Sequence, residues 1–428
     1  MLITTTNNKK FTDSSKEAND QTVFVCNSLN KKYIDDAKAH GCVEFIDDIE
    51  LGKYFQDSFS SIKIIGVTGT NGKTTTTAAI YSILLDLGYK VALQGTRGFF
   101  INDEKMENYS LTTPMQLDIY SHIQKALERG CDYFVMEVSS HAIAQNRIAG
   151  LDFALKIHTN ITRDHLDYHK TIEEYINVKN SFFSDESMKL INKDDKHIKY
   201  NIKNCFAYGL ENPATYKVSA YSLQNGIHVM LENFQNKVAY SSPMMGLFNV
   251  YNLTAAVAGV HLVTKRDLNE ICEEVENFGG VSGRMEIVSS DPLVIIDFAH
   301  TPDGMEEVFK SFSSKDITVV FGAGGDRDKA KRPLMGNVAQ RYCKNIIVTS
   351  DNPRFEDPDM IIEDILSGIS DKSKVIVEIN RKLAIQKALQ LYKKDTVILV
   401  LGKGDEEYQI IYDKKFPFRD YDIVKELL

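Results

Sequence analysis

Paired cysteines are missing from this sequence. Its six cysteines, Cys26, Cys42, Cys131, Cys205, Cys272 and Cys343, lie far apart with no C-x-x-C pair. That excludes a zinc ribbon and a disulfide framework, and leaves reduced, mostly buried thiols. A long basic run is missing too. The formal net charge is -9 and the charge is spread along the chain, so no nucleic acid is expected as a partner and an anionic substrate would need local basic sites. No continuous apolar run reaches about 18 residues, the length of a membrane span. The start, Met1-Leu2-Ile3-Thr4-Thr5-Thr6, is too polar for a secretory leader. No membrane insertion is expected, and the expected address is cytoplasmic. Apolar residues are plentiful: they make up 43% of 428 residues, enough for two to four packed domains at about 150 residues each. No interface pattern stands out, so a monomer is the default expectation.

The densest signal runs from Ile62 to Leu85. A β-branched run, Ile62-Lys63-Ile64-Ile65-Gly66-Val67-Thr68, meets Gly69-Thr70-Asn71-Gly72-Lys73-Thr74-Thr75, which opens onto the apolar helical stretch Ala78 to Leu85. This order of strand, glycine-rich turn and helix is a phosphate grip. Backbone N–H groups converge on phosphate oxygens at a helix N-terminus, Lys73 adds a point charge, and the hydroxyl of Thr74 or Thr75 can ligate magnesium. The general pattern G-x-x-x-x-G-K-[ST] has a glycine where this chain has Val67; its glycines stand at 66, 69 and 72.

Residues 1–60 read as a small α/β unit with a polar linker, Ser58-Phe59-Ser60-Ser61, behind it. After the phosphate loop, strands at 90–93, 133–138 and 155–160 alternate with helical segments such as Gln116 to Gly130. That alternation predicts a parallel sheet whose ligand crevice lies at the carboxyl ends of the strands. Glu137 ends one such strand and is followed by the polar group Ser139, Ser140, His141, Gln145 and Arg147. The stretch Ile157 to His169 holds three histidines and two aspartates in thirteen residues, a density of imidazole and oxygen ligands that can hold a divalent cation; the plain alternative is a polar loop capped by Asp164 and Asp167. Residues from about 185 to 245 are weakly patterned, with alternation over Lys217 to Leu231 predicting an antiparallel excursion. Asn252 precedes the apolar helix Leu253 to Thr264, where an asparagine is more often a cap than a ligand.

A third block, 283–428, repeats the α/β alternation with strands at 293–297, 317–321, 345–350, 374–379 and 396–401, which predicts a second doubly wound domain. The loops after its strands carry the unusual residues: Asp297 to Asp303, Gly322 to Asp328, Ser350 to Arg354 and Gly402 to Glu406. Together they make half of a cleft whose other half is the phosphate loop.

On these residues the chain resembles the Mur ligase family of peptidoglycan synthesis along most of its length. The phosphate loop, Glu137 to His141, Asn160 to His169, Gly283-Arg284-Met285-Glu286 and Asp297 to Asp303 fall in the family's order. Within the family, Asp351-Asn352-Pro353-Arg354 resembles the motif of members that add meso-diaminopimelate to UDP-N-acetylmuramoyl-L-alanyl-D-glutamate. Diaminopimelate is lysine with an extra carboxylate, which a guanidinium fork binds bidentately.

The resemblance implies an α/β protein of three domains: 1–60 for the UDP-substrate, a P-loop ATPase domain at 61–282, and a Rossmann-like amino-acid domain at 283–428. It implies that Gly69, Thr70, Asn71, Gly72, Lys73, Thr74, Thr75, Asn252, Arg284 and Asp297 hold ATP, and that Thr74, Glu137, His165 and Lys179 complete Mg2+ sites, Lys179 as a carbamate (N6-carboxylysine). Lys73, Lys179, His165 and His300 are the implied catalytic groups. Ser14, Thr112, Thr113, Ser139, Gln145 and Arg147 would contact the UDP-muramoyl dipeptide, and Arg332, Asp351, Asn352, Arg354, Gly402 and Glu406 the diaminopimelate.

Two departures stand out. The family often has Gly-Lys-Gly-His-Glu where this chain has Asp405 in Gly402-Lys403-Gly404-Asp405-Glu406. Thr12-Asp13-Ser14-Ser15-Lys16 resembles its Asp-Ser-Arg uridine loop with the arginine altered. Alternatives are a ligase of the family with another acceptor, L-lysine or a folylpolyglutamate, and a regulatory nucleotide-binding protein, which would need none of the acceptor loops.

Overall fold

The computed structural model describes residues 1–4, 8–27, 29–55, 58–108, 111–234 and 236–428. Among these residues the strands form a four-stranded, an eleven-stranded and a six-stranded sheet, with a separate two-stranded hairpin. In the middle of the large sheet the strands Phe153–His158, Lys63–Thr68, Tyr133–Glu137 and Val91–Gly95 lie side by side and parallel. Their period-two alternation sorts side chains to two faces. Ile65, Val67 and Val135 join one core with the helices Lys73–Asp86 and Leu247–Thr264. Ile64, Phe134 and Met136 join another with Leu117, Tyr120 and Ile123 of the helix Gln116–Glu128. All four strands therefore end on one edge, and the loops at 69–72, 96–97, 138–147 and 159–169 emerge together.

The six-stranded sheet follows the same logic. Leu293–Asp297, Thr396–Leu401, Asp316–Phe321, Asn345–Val348 and Val375–Val377 are parallel in that spatial order, with Glu286–Ser290 antiparallel at one edge. The four acceptor-side loops lie at one edge, as the alternation requires.

Three expectations change. The linker at 58–61 is not merely polar: Phe59 is buried, and stacks on Phe55 and edge-on against Tyr120, so the N-terminal unit shares a core with the central domain. The weakly patterned stretch contains two short parallel strands, Lys189–Asn192 and Cys205–Gly209, that widen the large sheet before the antiparallel strands Tyr216–Ser222, Ile227–Asn233 and Asn236–Ser242; four or five residues are too few to show a period. The apolar helix begins at Leu247, so Asn252 is a buried residue of the second turn and not a cap. That helix has a mean hydropathy of 1.3 and the length of a membrane span, but 72% of it is buried inside the protein.

Candidate active site

The phosphate loop is locked by the loop that follows the adjacent strand Phe153–His158. Asn160 clamps it with both amide atoms, accepting from the Asn71 N–H at 3.0 Å and donating to the Asn71 carbonyl at 3.0 Å, while its own carbonyl accepts from the Thr70 N–H at 2.7 Å. Thr159 Oγ1 donates to the same Asn71 carbonyl at 2.6 Å. Gly72 must be glycine twice over: its φ is +85°, and a Cβ there would stand 2.3 Å from Asn252 Oδ1. Lys73 Nζ donates to the carbonyls of Gly69 and Thr70, each at 2.8 Å, and burial lowers its pKa against the pull of Glu137 and Asp164. Thr75 is buried in the same helical turn. From the C-terminal domain Arg284 lays its guanidinium 4.1 Å above the Phe298 ring and reaches Thr74 Oγ1 at 3.5 Å. Asp297 is buried and spent on the N–H groups of Met285 and Ala299, at 2.8 and 2.7 Å; burial raises its pKa.

Glu137, 1% exposed, is where the phosphate loop meets the next network. Its carboxylate accepts from Thr74 Oγ1 at 3.0 Å and from the Thr96 N–H at 2.8 Å, and its carbonyl accepts from Thr113 Oγ1 at 2.9 Å. Thr113 Oγ1 accepts in turn from the Ser139 N–H at 2.9 Å, and its carbonyl takes Arg147 Nη1 at 2.7 Å. Gln145 Oε1 accepts from the same guanidinium, while Thr112 Oγ1 accepts from Thr96 Oγ1 at 3.2 Å. Thr112, Thr113, Ser139, Gln145 and Arg147 are thus one connected group. Ser14 stands apart in the N-terminal unit, its N–H on Thr12 Oγ1 at 3.1 Å. Asp48 of that unit faces the group; burial, with Asp47 and Asp13 nearby, raises its pKa to about 6.

The histidine-rich stretch does not act as one cluster: His165 and His169 both pack against His141, while His158 stands with Asp195. His158 is buried beneath the strand end, 3.2 Å from Asp195. His169 is buried against Ser140 Oγ at 3.0 Å. Only His165, held at φ +53°, stands with Asp164, at 3.4 Å. No group of three or more His, Cys, Asp or Glu side chains able to hold a metal occurs among the described residues, so the reading of that stretch as a cation cage by itself is not supported. Asp164 is instead a hub between domains: His300 Nε2 and Lys331 Nζ each approach its carboxylate at 4.0 Å. Burial holds His165 at about 3 and His300 at about 4, so both rings are neutral at pH 7.

Lys179 is 1% exposed and donates to the Gly69 carbonyl at 2.8 Å. Burial first, and the charge of Lys73 second, push its pKa far down. A long helix-borne lysine is thereby presented to the phosphate loop with its charged form disfavoured.

On the acceptor side, Asn352 Nδ2 donates to Glu406 Oε2 at 2.8 Å, and Lys403, fully buried, donates to the same oxygen at 2.8 Å and lies 3.9 Å from Asp351. Gly402 has φ +110°, and a Cβ there would sit 2.6 Å from Asp351 Oδ2. Arg354, at φ +51°, donates to the carbonyls of Gly325 at 2.8 Å and Asn352 at 3.5 Å. It pairs with no carboxylate within 4.0 Å among the described residues. Burial, then the charge of Arg327, lower its pKa. Arg332 is committed to other partners: that guanidinium is 1% exposed and taken up by Glu356 at 2.9 Å, Asp364 at 2.9 Å and the Gly324 carbonyl at 3.1 Å.

The Mur ligase middle domain model matches residues 67–260, and the model described as Mur ligase, glutamate ligase domain matches residues 283–404. The chain belongs to the Mur ligase family. UDP-N-acetylmuramoyl-L-alanyl-D-glutamate--2,6-diaminopimelate ligase of Wolinella succinogenes is 53% identical over 97% of this chain and 95% of its own. The enzyme of the same name from Helicobacter pylori is 51% identical over 95% of this chain and 92% of its own. A solved structure with that name covers 97% of this chain and 94% of its own at 30% identity and TM-score 0.67. Mycobacterium tuberculosis folylpolyglutamate synthase complexed with ADP and AMPPCP shares the fold, at TM-score 0.65 and 18% identity over 83% of this chain and 91% of its own.

Two features of this Mur ligase site are not legible as residue roles in the sequence. Arg327 stands beside Arg354, its Nη1 on the Asp326 carbonyl at 3.0 Å; its loop is conspicuous, but the spacing cannot say which arginine of the loop and following helix is taken up by carboxylates. Lys331, which the sequence does not single out, and Lys403, to which the Gly402–Glu406 loop gives no role, are both buried beside carboxylates.

Proposed function

We propose that this Mur ligase joins meso-diaminopimelate to the D-glutamate of UDP-N-acetylmuramoyl-L-alanyl-D-glutamate at the expense of ATP, in the cytoplasm and as a monomer. The observation that carries the acceptor is Arg354: a half-buried guanidinium with Arg327 close by, bound only to carbonyls, and set between the loops of Asp351, Asn352 and Glu406. A desolvated fork without a carboxylate is matched by a ligand that brings one, and the far carboxylate of diaminopimelate does so where lysine cannot.

The carboxylate oxygen of the D-glutamate attacks the γ-phosphorus of ATP, and ADP leaves. The acceptor amine then attacks the acyl carbon, the tetrahedral intermediate expels phosphate, and one proton is lost. The protein's part is mostly position and charge. Backbone N–H groups of Gly69 to Thr75 and the ammonium of Lys73 receive the phosphates, and Arg284 reaches the same region from the other domain. Thr74 and Glu137, two oxygen donors 3.0 Å apart, suit magnesium, which takes few protein ligands and completes its shell with phosphate and water. Bound there, magnesium would neutralise charge on the transferring phosphoryl group. His165, neutral, is available as a further ligand. Lys179 is suited to carbamylation because burial disfavours its ammonium form; the resulting anion would balance Lys73 and offer oxygens in place of N–H donors. Thr112, Thr113, Ser139, Gln145 and Arg147 would hold the UDP-substrate, with Ser14 at its uracil end. Arg332 supports this site by fixing Glu356 rather than by touching the acceptor.

The deciding experiment is phosphate release with ATP, Mg2+ and UDP-N-acetylmuramoyl-L-alanyl-D-glutamate, adding meso-diaminopimelate or L-lysine in parallel. Release with a tripeptide product only with diaminopimelate is the expected result. Turnover with lysine alone would overturn the acceptor; turnover with nucleotide alone would overturn the ligase reading.

A further inference from the structure

The hairpin after the acceptor loop has no sheet to join. Its strands Tyr408–Ile411 and Lys414–Pro417 pair with each other and with no other strand among the described residues, Ile411 forming a single bridge to Arg354, and the outer strand is exposed throughout. An isolated two-stranded hairpin is marginal in water, so its position must come from other contacts. These converge on one segment, Ser350 to Arg354. Gln409 Nε2 donates to the Asp351 carbonyl at 2.6 Å and to Ser350 Oγ at 3.3 Å. The Ile410 N–H donates to Asn352 Oδ1 at 2.8 Å. The Arg354 N–H donates to the Ile410 carbonyl at 3.1 Å, and the Arg354 carbonyl accepts from the Tyr412 N–H at 2.8 Å. Lys403 Nζ ties the base of the hairpin through the Tyr408 carbonyl at 2.7 Å. Arg354 itself sits at φ +51°, a conformation that a non-glycine residue keeps only when its surroundings impose it. Gln409 and Arg354 also line one cleft of about 950 Å³.

We propose that Gln409 is a positioning residue for the amino-acid acceptor: it pins the hairpin to the Asp351 backbone, and the hairpin's register fixes the direction of the Arg354 guanidinium. Gln409 acts through Arg354 and touches neither nucleotide nor phosphoryl group. The proposal rests on the acceptor reading above, and its test has an arm free of that reading.

Gln409→Ala and Gln409→Glu are made in the full chain, the second keeping the shape while losing the donor. In both, hydrogen exchange at residues 350–356 without substrate is expected to speed up about tenfold, the scale of one lost buried hydrogen bond, with the phosphate-loop amides unchanged. With substrates, KM for meso-diaminopimelate is expected to rise about tenfold while kcat and KM for ATP stay within about twofold. Unchanged exchange at 350–356 in Gln409→Glu overturns the proposal whatever the acceptor is, as does a KM for ATP that rises in step with that for diaminopimelate. Wild-type protein that ignores diaminopimelate, with the exchange effect still present in the variants, would sink the acceptor reading and leave the positioning role standing.

Discussion

At the phosphate-loop end of the cleft, the loop's own backbone is bound by a neighbouring loop: Asn71 is held at both its N–H and its carbonyl by Asn160, and Thr70 by the backbone of Asn160. At the acceptor end, the segment around Arg354 is bound by a hairpin that has little core of its own, and the guanidinium rests on two carbonyls. The difference separates a rigid site, whose chemistry is common to nucleotide-driven ligation, from an adjustable one, whose chemistry selects the partner. Preorganised charge stabilises a transition state because it need not reorganise. An acceptor pocket gains from small shifts of a mounting loop, since discrimination needs only a difference in affinity.

Replacing Lys73 tests the rigid end most severely. Lys73→Ala should reduce kcat by about a thousandfold or more, since it removes the ammonium aimed over the loop from a water-poor site. Its melting temperature should stay within a few degrees, because the loop's anchor is Asn160 and not the lysine. A calorimetric scan beside the phosphate-release assay checks both; a collapsed melting temperature would show that Lys73 braces the loop.

Lys179 comes next. Lys179→Gln keeps a buried polar chain but cannot be carbamylated, and kcat should fall by about a hundredfold, a typical cost of losing a group that orients a metal or charge. Carbon-13 NMR of wild-type protein in labelled bicarbonate should show a carbamate signal missing from the variant. Full activity in Lys179→Gln would reduce this lysine to a strut between Gly69 and its helix.

How much of this was legible beforehand follows the same division. The phosphate loop is contiguous, and its chemistry needs a strand, glycines, a lysine and a hydroxyl in one run, so sequence alone locates it. The sheet-edge placement of the C-terminal loops was legible too, because parallel alternation leaves no other arrangement. Arg332 and Arg327 were not distinguishable: what separates them is that Glu356 and Asp364, distant in sequence, saturate one and leave the other. The histidines of 157–169 misled as a group because density along the chain is not density in space; His158 turns to Asp195 and His169 to Ser140.

At the adjustable end, Arg354→Ala should raise KM for diaminopimelate by about 30-fold, near 2 kcal/mol, the scale of charge-assisted hydrogen bonds, with KM for ATP unchanged. Arg332→Ala sharpens the contrast. It takes the guanidinium away from Glu356 and Asp364, leaving Glu356 only Lys329 at 3.0 Å and the Asp326 N–H, so stability should fall by about 1–3 kcal/mol, read as a lower urea midpoint, with no preference for one substrate in the KM values.

The smallest effect is expected where the two ends touch. Asp405, the residue in place of the family's usual histidine, lies 3.8 Å from Arg97 of the central domain, the two side chains 27% and 35% exposed. An ion pair that wet contributes about 0–1 kcal/mol and is screened by salt. Asp405→Asn should therefore lower kcat/KM by about twofold in dilute buffer, and the deficit should vanish near 1 M salt. A loss of about a hundredfold that persists in salt would mean the carboxylate takes part in binding the acceptor. The acceptor loop would then be as rigidly specified as the phosphate loop, and the contrast between the two ends would fail.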